Sequence, residues 1–200
     1  IYRMIGTRRS FYKFKKAVNV IHKSPLGELH ASTQVCNMTP EGVKFLEDCG
    51  FERVILERAL SLDEIRAIRK QTSVDLECFV HGAICVGHSG RCYLSRSQSS
   101  RSGNRGECSQ PCRLTYDLTT ASGDRLIKNR HLLSVKDFDL SERIGELIDA
   151  GVISFKIEGR LKDDNYIKNV VSYYRRKIDE ALAERKDCCR ASVGRSEVEF

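Results

Sequence analysis

Val54-Ile55-Leu56, then Ser61-Leu62-Asp63-Glu64 opening a run to Lys70, then Val74-Asp75-Leu76-Glu77-Cys78-Phe79-Val80 read together as one strand–helix–strand unit. The two apolar stretches are short and rich in β-branched residues, which suits strands. Between them Ser61-x-x-Glu64 is a capping box, in which side chain and backbone at a helix start satisfy each other's donors. The same rhythm continues outward. Upstream, Leu29–Thr33 reads as a strand, and Thr39 as N-cap with Pro40 at the first helical position opens a helix to Cys49, closed by Gly50. Downstream, Leu140, Ile144, Leu147 and Ile148 share one helical face, capped by Asp139 and stopped by Gly151. A strand over 153–158 follows, then a long amphipathic helix marked by Ile167, Val170, Val171, Tyr174, Ile178, Ala181 and Leu182. Strand and helix alternating at intervals of about 24 residues predict an α/β fold with a parallel sheet and helical crossovers. Four such units are about half of a (β/α)8 barrel, so a partial TIM-like barrel is expected from a fragment of a longer protein.

Composition narrows the class. With 200 residues, 40% apolar and 30% charged, the chain needs neither disulfides nor a metal to build a core. A mean hydropathy of −0.39 and the lack of a long apolar run exclude a membrane span. The opening residues lack the pattern of a secretory signal, so a cytoplasmic protein is expected. In that setting nine cysteines point to metal or redox chemistry ahead of disulfides. The net charge of +7 equals the seven cations of residues 1–24, a stretch without acids. The chain therefore divides into a basic segment over 1–28, the α/β portion over 29–185, and the start of a truncated region over 186–200. Residues 83–139 interrupt the rhythm as a Ser-, Gly-, Arg- and Cys-rich insertion, with a hairpin expected between 113–118 and 125–128.

Alternation along the strands selects candidate site residues. If the apolar set faces the helices, Glu77, His81, Lys156 and Glu158 point into the barrel near the carboxyl ends of their strands, where barrel enzymes keep their chemistry. Ordinary ion pairing at a barrel rim is the competing reading for any one of them. Cys85, Cys92, Cys108 and Cys112 fall in one polar loop with C-x6-C-x15-C-x3-C spacing. That spacing does not by itself separate zinc from iron. The lack of C-x2-C pairs is easier to reconcile with an iron–sulfur cluster, whose irons occupy separate corners. Between Arg91 and Arg113, five arginines face one acid, Glu107, a balance suited to phosphate.

The run Glu77-x-Phe79-x2-Gly82-Ala83-Ile84-Cys85-x4-Gly90-x-Cys92-x-Leu94-Ser95 resembles the signature of the collagenase-like peptidase family U-32. The likeness continues through Asn104-Arg105-Gly106-Glu107-Cys108-x2-Pro111-Cys112-Arg113 and Phe155-Lys156-Ile157-Glu158-Gly159-Arg160. It implies a barrel carrying an iron–sulfur cluster of the 4Fe–4S type, and an enzyme that hydroxylates a base of tRNA or rRNA with prephenate as oxygen source. It makes Cys85, Cys92 and Cys108 cluster ligands. Some relatives place the fourth cysteine in the segment matching 136–139; this chain has none there, and Cys112 takes that role. Glu77, His81, Lys156, Glu158 and Arg160 are then the candidate catalytic residues, and Arg91, Arg105 and Arg113 the RNA-binding ones. Two alternatives remain: a collagenase-like hydrolase, for which no H-E-x-x-H or G-x-S-x-G motif is present, and a non-catalytic cysteine-stabilised nucleic-acid-binding module.

Overall fold

The computed structural model describes residues 28–159, 162–183 and 185. Arg160, the basic segment up to residue 27, and the 186–200 tail with Cys188 and Cys189 lie outside the described residues. Strand β1 (His30–Ala31), helix α1 (Pro40–Asp48), β2 (Arg53–Ile55), α2 (Leu62–Gln71) and β3 (Asp75–Gly82) follow in turn. The helices begin where local chemistry satisfies their first N–H groups. The Thr39 hydroxyl accepts the Gly42 N–H at 3.1 Å. At α2 the Glu64 N–H donates to Ser61 Oγ (3.3 Å) while the Ser61 N–H donates to Glu64 Oε2 (2.7 Å).

After β3 the chain leaves the sheet. The insertion holds the short helix α3 (Leu94–Gln98), 3-10 turns at Gly103–Arg105 and Pro111–Arg113, and a hairpin of β4 (Tyr116–Thr119) and β5 (Arg125–Arg130). The hairpin starts three residues later than its sequence suggests, because Pro111 opens a 3-10 turn through Arg113. The chain returns through β6 (Phe138–Asp139), and a 3-10 turn over Ser141–Arg143 leads into α4 (Ile144–Asp149). Strand β7 (Ser154–Glu158) and α5 (Asp164–Ala183) complete the described elements.

β1, β2, β3 and β7 are parallel, with His30 opposite Arg53, Val54 opposite Leu76 and Glu77 opposite Ser154. β6 pairs antiparallel with the end of β3. The fold is thus mixed α/β with helical crossovers. Among the described residues the sheet is open rather than closed into a barrel. Among the same residues no helix is long and apolar enough to cross a membrane.

The two faces of the sheet differ as the alternation predicts. Val54, Leu56, Leu76, Val80, Phe155 and Ile157 pack against Val43, Leu46, Ile65, Ile68, Leu147 and Ile178 of the helices. Each buried aliphatic side chain contributes on the order of 2 kcal/mol, so this face holds the layers together. Arg53, Glu77 and Lys156 occupy the other face. One residue departs from the expected parity. Phe79 pairs with Lys156 and His81 with Ile157, so Val80 and His81 together oppose a single residue of β7. This bulge turns His81 away from Glu77 and toward α5, where its ring meets Tyr166 and Tyr174. Gly82 ends the strand with φ +100°, and a Cβ there would lie 2.3 Å from the Glu158 carbonyl oxygen, so the close β3–β7 contact requires glycine.

Candidate functional site

The insertion folds back over the carboxyl ends of β2, β3 and β7 and encloses a pocket of about 160 Å³. Cys85, Cys92, Cys108 and Cys112 all line it, with Arg58 and Glu158 supplied from the sheet. Cys85 is exposed and the other three thiols are partly buried. Specific contacts give the loop its shape. Asn104 Oδ1 accepts the Cys92 N–H at 3.0 Å, and Ser95 Oγ accepts the Ser109 N–H at 3.1 Å. The Gln110 N–H points at Cys108 Sγ (3.4 Å), and Arg113 donates to the Ile84 carbonyl. Gly90, at φ +75°, lets the loop rest on the backbone of Gln34, where a Cβ would lie 2.1 Å from the carbonyl oxygen. From below, Glu57 is 4% exposed and accepts from Ala59 N–H (2.6 Å), Ser89 N–H (3.4 Å) and Ser89 Oγ (3.3 Å).

The wall is electrostatically loaded. Burial pushes the Cys112 thiol above its ordinary value; Arg113 opposes this, while Cys108, Cys85 and Cys92 reinforce it. Burial lowers Arg58, and Cys85, Glu158, Glu57 and Cys108 counteract it. Four buried side-chain atoms without a hydrogen-bond partner belong to residues of this wall: Gln34 Oε1, Arg58 Nε, Asn104 Nδ2 and Arg113 Nη1. Unsatisfied buried donors are costly unless a bound group completes them. Among the described residues no three His, Cys, Asp or Glu side chains are arranged to hold a single metal ion. A lone zinc draws its thiolates to within about 4 Å of one another, whereas an iron–sulfur cluster takes them from around a wider cavity. Four thiols and three buried N–H groups without a partner on one pocket wall are a donor set compatible with an iron–sulfur cluster.

The remaining candidates separate into distinct environments. Glu77 is fully buried, accepts from Ser154 Oγ at 2.9 Å and Lys156 Nζ at 3.1 Å, and has Arg53 at 3.7 Å. Phe79 touches residues of both groups: Arg58 stacks on its ring at 3.8 Å and Lys156 Nζ stands 5.8 Å from the ring centre. His81, turned by the bulge, is bound through Nε2 to the Tyr166 hydroxyl (2.9 Å) and through Nδ1 to Tyr174 (3.3 Å), and is not in the pocket wall. The common mouth expected for Glu77, His81, Lys156 and Glu158 is thus divided, with only Glu158 at the cysteines. Arg91 and Arg105 are exposed on the loop, whereas Arg113 turns into the wall. Cys49 and Cys78 are core residues, and burial pushes Cys78 up to about 12. Arg58, Gln34 and Ser89 belong to the site without having been selected from the sequence. Arg58 was within reach of the strand-end rule, since it follows β2 by three residues; Gln34 carries no sequence signal.

These features define an α/β protein whose site is a thiol-lined pocket over the carboxyl ends of parallel strands. Residues 16–198 match Peptidase family U32, and the chain belongs to that family. It is 53% identical over 170 residues to the 23S rRNA 5-hydroxycytidine C2501 synthase of Escherichia coli, a match covering 85% of this chain and 26% of that protein. It is 39% identical over 167 residues to tRNA hydroxylation protein P1 of Bacillus subtilis, covering 80% of this chain and 40% of that protein. It is also 36% identical over 165 residues to a collagenase of Porphyromonas gingivalis, covering 76% and 40%. The chain spans about a quarter to two fifths of the length of these relatives.

Proposed function

We propose that this chain is the cysteine-bearing part of an RNA base hydroxylase that acts on rRNA or tRNA. In this reading Cys85, Cys92, Cys108 and Cys112 hold a 4Fe–4S cluster and the parallel strands belong to a (β/α)8 barrel in the whole protein. The observation that carries it is the convergence of four thiols and three unpaired N–H donors on one pocket. The relatives named as rRNA and tRNA hydroxylation proteins support the substrate class. A bound cluster supplies electron transfer, which amino-acid side chains lack and which hydroxylation of a ring carbon requires. The chain's own residues do the rest. Arg91 and Arg105, exposed beside the pocket, bind phosphate. Glu158, at the rim, hydrogen-bonds the base or the oxygen donor, for which prephenate is our candidate. The buried Glu57–Ser89 contact fixes one part of the pocket wall. Ser89 is held by Glu57 and by Arg58 Nη1 (3.4 Å), which ties Arg58 to the pocket wall.

Two measurements test this. Iron and sulfide analysis after anaerobic reconstitution is expected to give stoichiometric cluster; zinc without iron would refute the cofactor. Mass spectrometry of nucleosides from a strain lacking the gene is expected to show loss of one hydroxylated pyrimidine, restored by the wild-type gene but not by Cys92→Ser. An unchanged nucleoside profile, with peptide cleavage by the pure protein, would favour the hydrolase reading. Arg105→Ala is expected to flatten the salt dependence of RNA binding by about one unit of slope, and an unchanged slope removes the phosphate contact.

A further inference from the structure

We infer that Arg58 sets the charge of the cysteine pocket and so raises the reduction potential of the group bound there; this rests on the cluster reading above. The guanidinium reaches the pocket from the loop after β2 and is mounted on three sides. Its flat face stacks on Phe79 at 3.8 Å. Nη1 donates to Ser89 Oγ at 3.4 Å. Nη2 stands 3.9 Å from Glu158 Oε2, beyond hydrogen-bond distance, so the carboxylate only partly offsets the charge. The residue lines the pocket, and its Nε is buried without a hydrogen-bond partner.

The mount is rigid. Glu57 grips both the backbone just after Arg58, through the Ala59 N–H, and Ser89, which holds Nη1. A cation fixed this way cannot swing to solvent when the pocket fills. Its other neighbours are Cys85 and Cys108, whose charged forms favour the guanidinium. Arg113 shares the pocket, but its Nη2 is tied to the Ile84 carbonyl, and it enters from the insertion rather than from the sheet. Four thiolates around a cluster leave the pocket negative, and each added electron increases that charge. A desolvated cation beside the cluster favours the reduced form, and a carboxylate beside it disfavours it. Arg58 and Glu158 therefore act on the potential with opposite sign.

The test is a redox titration of the anaerobically reconstituted full chain, followed by visible absorbance and electron paramagnetic resonance with mediator dyes supplying the electron. Arg58→Gln is expected to lower the one-electron reduction constant at least tenfold, a shift of about 59 mV. Arg58→Lys, which keeps charge but not the stack, is expected to lose less than half of that shift. Glu158→Gln is expected to move the midpoint upward. A loaded Arg58→Gln protein with an unshifted midpoint overturns the inference while leaving the cluster reading intact. Wild type that takes up no iron and sulfide overturns the cluster reading and the inference with it. If Arg58→Gln does not hold a cluster, Glu158→Gln decides: it must raise the midpoint, and an unchanged value overturns the inference.

Discussion

Lys156→Ala removes one partner of a fully buried carboxylate. Glu77 is 0% exposed and receives Lys156 Nζ at 3.1 Å, Ser154 Oγ at 2.9 Å and the longer-range charge of Arg53 at 3.7 Å. Deleting one member of a buried pair typically costs about 3–5 kcal/mol, because the other charge is left uncompensated. Here the Lys156 side chain is 24% exposed, and Ser154 and Arg53 remain. The expected loss is therefore about 2 kcal/mol, near half the typical figure. For a domain of this size that lowers Tm by about 4–8 °C. Thermal unfolding at pH 7 of wild type, Lys156→Ala, Glu77→Gln and the double variant forms a closed cycle. The double variant is expected to recover about 1 kcal/mol over the sum of the singles, since neutral glutamine no longer needs the ammonium. A Tm for Lys156→Ala within about 1 °C of wild type would refute the reasoning. The same variants separate roles: RNA modification lost far below the melting temperature, at unchanged folded fraction, assigns Lys156 to the reaction, whereas activity that tracks the folded fraction assigns it to the fold.

Three further outcomes follow from the geometry. The Tyr174 hydroxyl lies 2.8 Å from the Val80 carbonyl oxygen and 2.7 Å from Asp139 Oδ1 and accepts the Leu140 N–H at 3.2 Å, so it joins both ends of the insertion. Tyr174→Phe is expected to cost about 1–2 kcal/mol and to speed hydrogen exchange at 138–140, and unchanged exchange there would count against the clamp. Burial pushes Glu47 up, but hydrogen bonds from Ser73, Lys44 and Thr72 outweigh it and bring it from 4.5 down to about 2. A carboxylate lowered on folding stabilises fully above its unfolded value, and the contribution fades as pH falls through the folded one. The Tm gap between wild type and Glu47→Gln should thus be constant above about pH 5 and close toward pH 2; a gap independent of pH would contradict it. Gly82→Ala is expected to destabilise by more than about 2 kcal/mol, because its Cβ meets the Glu158 carbonyl at 2.3 Å and φ is +100°; urea unfolding with an unchanged midpoint would show that β3 and β7 can separate without cost.

What could be read from the sequence was local. Thr39 with Pro40 and Ser61 with Glu64 mark helix starts because the groups they satisfy lie within three residues, and both caps form as their spacing predicts. Parity along β7 likewise puts Lys156 opposite to Phe155 and Ile157, which join the core. His81 shows where that reasoning ends. Its face depends on an extra residue at Val80, and that bulge exists only through pairing with β7, more than seventy residues away in the chain. The four loop cysteines are close in sequence and end at one pocket, but Arg58 reaches it from the loop after β2. The arginine count between Arg91 and Arg113 gave charge without direction, so the inward turn of Arg113 toward Ile84 was hidden until the loop was folded.

The division of the site follows from one aromatic ring. Phe79 faces the same side of β3 as Glu77, and the parity that groups Glu77 with Lys156 also brings the ring against Arg58. The ring thus meets a cation of each ion-paired region, with Lys156 Nζ 5.8 Å from its centre. Glu77 pairs with Lys156 and Arg53, and Glu158 lies 3.9 Å from Arg58. The consequence is that a change made below the ring, such as Lys156→Ala, is felt first in folding, while a change above it, such as Arg58→Gln, is felt first in the pocket. Phe79→Leu removes the ring without adding charge: Lys156→Ala is expected to shift the midpoint potential of the proposed cluster in that variant and to leave it unshifted in wild type, and equal shifts in both backgrounds would refute the separation.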